Sequence, residues 1–289
     1  MLALGVVAIS CAAVLVRLAD APPLAIAAAR LLVATVVLFP IGLLTARSEL
    51  VRLLRTECRL LVLSGLFLAT HFALWIASLS YTTVISSVVL VTTTPLFVAL
   101  ASWVLFRERL RPATFTGITI SLGGALLIGY SGLRHGGEAL SGNLLALLAA
   151  VAMAGYLLVG RRVRRNAGLT AYTSLVFGVA AMILTGVAVI SGIRFTGYSA
   201  TTYAAMVALA LIPQLIGHMS LNWALRFLPA TMVTVAVLGE PVGATALAWV
   251  VLAEAPSMYE SVGATLMLVG IGLAFARGGQ APPRPPVVT

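Results

Sequence analysis

The sequence predicts an all-α integral membrane protein of ten transmembrane helices, arranged as two inverted five-helix repeats, and three observations predict it. First, 61% of the 289 residues are hydrophobic and 9% are charged, with a mean hydropathy of +1.10. Soluble domains are about 45–50% apolar and about 25% charged, so the solvent of this chain is lipid. Second, all 18 basic residues are Arg, and they gather in alternate gaps between apolar runs. Third, the chain aligns with itself at a shift of 146 residues. A soluble enzyme, a nucleic-acid-binding module and a disordered scaffold are excluded before any motif is read. The net charge of +10 belongs to anionic lipid head groups rather than to DNA.

A span needs roughly 20 apolar residues to cross about 30 Å of hydrocarbon. The first, 1–16, ends before Arg17; it lacks a signal peptide's basic start and small-residue cleavage site and reads as a true helix. Pro22 and Pro23 open 24–46, which Arg47 closes. Arg59 precedes 60–80, the polar triplet Tyr81-Thr82-Thr83 separates that run from 84–106, and Arg107 ends it. Pro112 opens 113–130, and 141–160 stops at Arg161-Arg162. Asn166 to Gly168 precede 170–192, a polar stretch around Arg194 precedes 201–224, and Arg226 separates that run from 228–252. The last span, 258–276, ends before Arg277.

Fourteen of the Arg fall on one side of this layout and three, Arg17, Arg134 and Arg194, on the other, while Arg30 lies inside a span. Basic loops stay in the cytoplasm, which puts both termini inside and requires an even number of spans. The expected location is therefore the cell (inner) membrane, with a first repeat over 1–136, a second over 137–276 and a Pro-rich flexible tail over 277–289. Cys11 and Cys58 do not form a disulfide framework.

The shift of 146 pairs Pro95 with Pro241, Trp103 with Trp249, Glu108 with Glu254, Gly117 with Gly263 and Gly124 with Gly270. A shift of 147 just upstream pairs His71 with His218. Five spans per copy is an odd number, so the second copy enters the membrane upside down, as in carriers built from inverted repeats.

Ser86-Ser87, Thr94-Pro95-Leu96 and Arg107-Glu108-Arg109-Leu110, within Ala77–Leu110, resemble the fourth-span signature of the EamA family in the drug/metabolite transporter superfamily. Glu240-Pro241-Val242 followed by Ala253-Glu254 is similar to it in the second copy, and Pro22 to Arg30 resembles the start of the family's second span. The second copy departs at Ala255-Pro256, where the first has Arg109-Leu110. The resemblance covers nearly the whole chain and implies a carrier, without naming its cargo.

Lipid does not tolerate isolated polar groups, so those inside spans mark a cavity or a partner. Glu240 lies near the midplane directly before Pro241, and its counterpart is Thr94, before Pro95. Proline frees a carbonyl one turn back, so both helices are expected to break there, which in carriers points to the substrate site. Glu240 reads either as an amine-binding or proton-carrying group or as a structural one, the ion-pair partner of Arg30 or a stabiliser of the helix kink. Arg30 reads as structural, snorkelling outward or pairing with a carboxylate, with binding of a substrate carboxylate as the alternative. His71 with Trp75, and the stripe Gln214, His218 and Asn222, are expected to line the same central space, with Tyr156 and Ser10 as further candidates. Glu108 and Glu254 read as local caps at span ends. Gly117, Gly123, Gly124, Gly263, Gly270 and Gly272 read as close helix packing on spans five and ten, through which the resemblance implies that a monomer can become a homodimer.

The expected function is secondary active export of small polar metabolites, such as amino acids or related amines, by alternating access and with proton coupling. A channel or lipid scramblase is the alternative. No metalloprotease, nucleophile-elbow or phosphate-loop motif supports an enzyme, and the sequence calls for no cofactor and no metal. The partners expected are a small-molecule substrate and the bilayer, with no nucleic acid.

Overall fold

The structure, a computed structural model, describes residues 1–106, 112–134, 137–228 and 230–276, and every regular element among them is helical. Six helical stretches are long and apolar enough to cross a membrane: Pro23–Thr45, Cys58–Ser78, Val84–Ala101, Gly137–Arg164, Leu169–Ile190 and Ala200–Ala224. Four shorter apolar helices, Leu2–Leu18, Thr119–Ile128, Val237–Leu252 and Met258–Leu273, fall on the expected first, fifth, ninth and tenth spans. The basic segment 107–111, with Glu108, and the tail from 277 lie outside the described residues.

Several spans are interrupted. Cys11 divides the first into α1 (Leu2–Ser10) and α2 (Ala12–Leu18); α3 (Pro23–Thr45) is continuous. The segment expected as a basic loop is instead a helix, α4 (Arg47–Thr56), before α5 (Cys58–Ser78). Leu50 and Leu53, one turn apart, are buried under it, and its Arg face solvent or head groups. Its Glu49 accepts from the Gly168 N–H at 2.8 Å, and Arg52 donates to the Asn166 carbonyl at 2.9 Å.

The fourth expected span breaks into α6 (Val84–Val91) and α7 (Thr94–Phe106), and is followed by α8 (Pro112–Arg134), α9 (Gly137–Arg164) and α10 (Leu169–Ile190). The eighth comprises α11 (Ala200–Leu209), a π-helical turn Ala210–His218 and α12 (Met219–Ala224). Pro213 sits inside that turn. A proline cannot donate to the carbonyl four residues back and crowds it, and a widened turn takes up the misfit. The ninth comprises α13 (Ala230–Ala236), a 3₁₀ turn Val237–Gly239 and α14 (Glu240–Leu252), and α15 (Met258–Ala276) closes the chain.

The core lies where α5 packs on α9 and α10 and α10 packs on α3, with α6 against α9 and α1 against the π turn. Trp103 and Trp249, equivalent across the repeat, are both exposed toward the lipid side. Helices α8 and α15 pack chiefly on each other. A Cβ on Gly124 would lie 2.5 Å from the Gly263 carbonyl oxygen, and one on Gly270 would lie 2.6 Å from that of Gly117. The shift of 146 converts the first of these contacts into the second. Four of the six glycines expected to pack helices closely thus do so, between α8 and α15, whereas Gly123 and Gly272 face open space. Gly124→Val is expected to lower the thermal midpoint of the purified protein by several degrees, since backbone cannot yield as a flexible side chain can. An unchanged midpoint would contradict this packing.

Candidate functional site

The π turn, the breaks in the fourth and ninth spans, and α1, α3, α5 and α9 enclose a central cavity. It offers about 60 Å³ to the centres of water-sized molecules. Arg30, His71, Trp75, Thr94, Pro95, His218 and Glu240 line it. Its remaining wall is largely apolar, supplied by residues such as Ile9, Phe72, Met153, Leu157 and Leu221. All of these but Met153 adjoin a polar candidate in sequence, yet as apolar residues in apolar helices they cannot be told by periodicity from ordinary core.

Each polar group is held by local structure. Arg30 is 1% exposed; its Nε donates to Gln214 Oε1 at 2.8 Å, and its guanidinium lies 4.1 Å from the Phe72 ring centroid. The ion pair allowed between Arg30 and Glu240 is not formed: the ion pairs among the described residues are Arg17 with Glu254 and Arg52 with Glu49. Gln214, a neutral acceptor, takes the Nε position instead. His71 and the Ala149 carbonyl are 3.0 Å apart through Nδ1, and donation by that nitrogen leaves Nε2 as the acceptor of the neutral ring. The His71 ring lies parallel to Trp75, with centroids 6.3 Å apart, and 6.4 Å from His218.

The threonine hydroxyls look inward rather than outward. Thr92 donates to Val89 O at 2.8 Å, Thr93 to Leu90 O at 2.6 Å and Thr94 to Val91 O at 2.8 Å. Thr94 takes the Val91 carbonyl, to which Pro95 has no N–H to donate, whereas the Leu90 carbonyl also accepts from the Thr93 N–H at 3.2 Å. Pro241 stands at the start of α14, after the 3₁₀ turn, and lines a separate surface groove.

Four candidates, Gln214, Asn222, Tyr156 and Ser10, stand outside the cavity lining. Gln214 lies behind Arg30. Asn222 donates to the Tyr156 hydroxyl at 2.6 Å and to the His218 carbonyl at 2.9 Å. The stripe from Gln214 to Asn222 rises over about 12 Å at 1.5 Å per residue, and only its middle member reaches the cavity wall. Ser10 is also outside: its hydroxyl donates to the Val6 carbonyl at 2.9 Å.

Two hydrogen-bonded clusters stand on or beside the helices that line this cavity. Toward the arginine-rich end, Arg164 is 1% exposed rather than in a solvated basic loop, and donates to the Asn222 carbonyl at 3.0 Å and to the Ala167 carbonyl. Ser64 and the Tyr172 hydroxyl meet beside it at 2.7 Å. At the other end, Glu254 is not a local cap: it accepts from the Val84 N–H at the start of α6 and lies 3.6 Å from Arg17. Glu260 accepts from Ser86 Oγ at 2.7 Å, from the Ser257 N–H at 2.9 Å and from the Thr83 hydroxyl.

A solved crystal structure superposes on 95% of this chain and 95% of its own, with a TM-score of 0.71 at 21% identity, which establishes a shared fold. An uncharacterized transporter of Archaeoglobus fulgidus is 25% identical over 223 residues, 76% of each chain. The uncharacterized transporter YdfC of Bacillus subtilis is 26% identical over 192 residues, 65% of this chain and 61% of that one. The EamA-like transporter family matches residues 1–130 and 140–276, one unit for each half. This multi-pass membrane protein, a transporter and not an enzyme, therefore belongs to the EamA-like transporter family of the drug/metabolite transporter superfamily.

Proposed function

We propose that this chain is a secondary exporter of small polar metabolites such as amino acids, working by alternating access across the cytoplasmic membrane with both termini inside. The observation that carries this reading is a central cavity lined by one guanidinium, Arg30, and one carboxyl, Glu240, among the described residues. Ten spans in two inverted repeats fit the register of the helices. Val84 and Ala230, Thr94 and Glu240, and Pro112 and Met258 begin matching helices, each pair 146 residues apart. Two halves of opposite orientation can exchange shapes, moving access from one face to the other. Glu240 serves as the group that takes up and releases a proton as access alternates.

The test is counterflow in proteoliposomes, with single cysteines fixing the orientation in a background lacking Cys11 and Cys58. Saturable exchange of a labelled metabolite distinguishes a carrier from a channel or scramblase. Asn166 and Thr196 are both exposed. In intact cells, a membrane-impermeant thiol reagent is expected to reach Thr196→Cys and not Asn166→Cys. The opposite pattern would overturn the orientation, and labelling of both would overturn the span count.

A further inference from the structure

We propose that Arg30, Trp75 and His218 form a clamp for the carboxylate of a small organic acid of about four to six non-hydrogen atoms, a specificity that rests on the carrier reading above. Four buried nitrogens belonging to these three residues have no hydrogen-bond partner among the described residues: Arg30 Nη1 and Nη2, Trp75 Nε1 and His218 Nδ1. All three side chains line the central cavity, and they come from three different elements, α3, α5 and the π turn. They are 1%, 4% and 6% exposed. Burying a donor without an acceptor is costly, so four around one space define what completes it.

The geometry selects the ligand. The Arg30 guanidinium is fixed at its edge by Gln214, 2.8 Å from Nε, and on its face by Phe72 at 4.1 Å. With Nε taken, the two nitrogens of its terminal fork are the ones left without a partner. That planar fork matches the two oxygens of a carboxylate. Trp75 Nε1 can only donate, and His218 Nδ1 donates when it carries the ring proton.

An amine brings donors to these donors and gains nothing from the clamp, its acceptor on this wall being Glu240. A phosphate dianion would meet one guanidinium with the carboxyl of Glu240 in the same small space. The 60 Å³ available to water centres corresponds to roughly four to six waters, which bounds the ligand at the size of acetate to alanine. Met153 and Val233, also on the wall, suit a short aliphatic remainder.

Binding to the purified full-length protein is measured by calorimetry with five probes: L-alanine, L-lactate, L-alanine methyl ester, ethylamine and inorganic phosphate. Counterflow is measured with the same set. The acids are expected to bind saturably, and the ester, ethylamine and phosphate at least tenfold more weakly. Preference for alanine over lactate would report an ammonium at Glu240, whereas parity would report the acid group alone; both support the clamp.

Trp75→Phe removes one N–H and keeps a ring, so it is expected to weaken the acids about tenfold while leaving ethylamine unchanged. Arg30→Lys, which keeps the charge and loses the fork, is expected to cost more than that. Should Arg30→Lys not fold, the acid-to-amine ratio in Trp75→Phe decides. Equal affinity for alanine and its ester, or acid affinity unchanged in both variants, overturns the clamp. Ethylamine binding and exchanging in place of the acids overturns the clamp and leaves the carrier standing. No binding and no counterflow with any probe overturns both.

Discussion

Glu240→Gln is expected to retain substrate binding and counterflow and to lose all acceleration by a pH gradient. The carboxyl is 9% exposed and lines the same cavity as Arg30. Among the described residues it is the one acid on that wall. Gaining or losing its proton therefore changes the net charge of the cavity by a full unit beside a fixed cation. In so small a space that difference falls directly on the affinity for a charged substrate. Gln has nearly the same shape and a permanently neutral head, so binding survives while the charge no longer changes between the two faces. Exchange of substrate for substrate needs no net proton movement and should continue. The measurement is uptake and efflux in proteoliposomes with and without an imposed pH difference. Full proton-driven transport by the Gln variant would remove Glu240 from the coupling role. Misfolding of this variant, rescued by a simultaneous change of Arg30, would show that a structural charge balance is its main task.

Much of this arrangement is legible in the residues, for identifiable reasons. The break before Pro95 and the 3₁₀ turn before Pro241 follow from a missing N–H, a property of the residue itself wherever the chain goes. The placing of His71, Trp75, His218 and Glu240 on one cavity follows from lipid's intolerance of polar groups, combined with the equivalence of His71 and His218. Other features depend on tertiary partners. Charge alone suggests Glu240 for Arg30, but the Nε–H is taken by Gln214, which the π turn carries to it. Pro213 announces an irregularity in the eighth span without saying that it becomes a π turn.

The helix α4 was masked by its own arginines. Its Arg read as a head-group loop, although Leu50, Leu53 and Leu54 recur at helical spacing between them. Glu254 illustrates a different limit. At a span end a carboxylate ordinarily serves its own helix, yet here it crosses from the second unit to the N-terminus of α6 in the first. Only the packed structure brings those termini together, and inward-facing threonines are hidden from the sequence for the same reason, since a hydroxyl offers itself equally to substrate and to backbone.

That crossing seam makes the hydrogen-bonded cluster at the arginine-poor end the place where a single side chain should have the largest conformational effect. Glu260 is 4% exposed and receives three donors: the hydroxyls of Thr83 and Ser86 from the first unit, and the Ser257 N–H from its own. Arg17 adds a link to the Thr82 carbonyl at 2.9 Å and to Glu254 at 3.6 Å. Opening this end must separate the two units there, and hence break the contacts that Glu260 makes across them. Hydrogen bonds to a charged group contribute about 1.5–3 kcal/mol each. Losing two, with hydroxyls free to find other acceptors, leaves an expected net cost of about 3 kcal/mol to the closed form, or roughly a hundredfold in population at 1.4 kcal/mol per factor of ten. Thr92 lines the cavity and its hydroxyl bonds within its own helix, so Thr92→Cys is a mild reporter. In a background without Cys11 and Cys58, Glu260→Ala is expected to raise the rate at which an impermeant thiol reagent, added at the arginine-poor face, modifies Thr92→Cys by about two orders of magnitude. Glu260→Gln keeps one acceptor oxygen and should fall between the two. A labelling rate that stays at the wild-type value in a folded Glu260→Ala protein would show that the seam does not close the cavity, and that access from this face is governed by the packing of α6 and α14 alone.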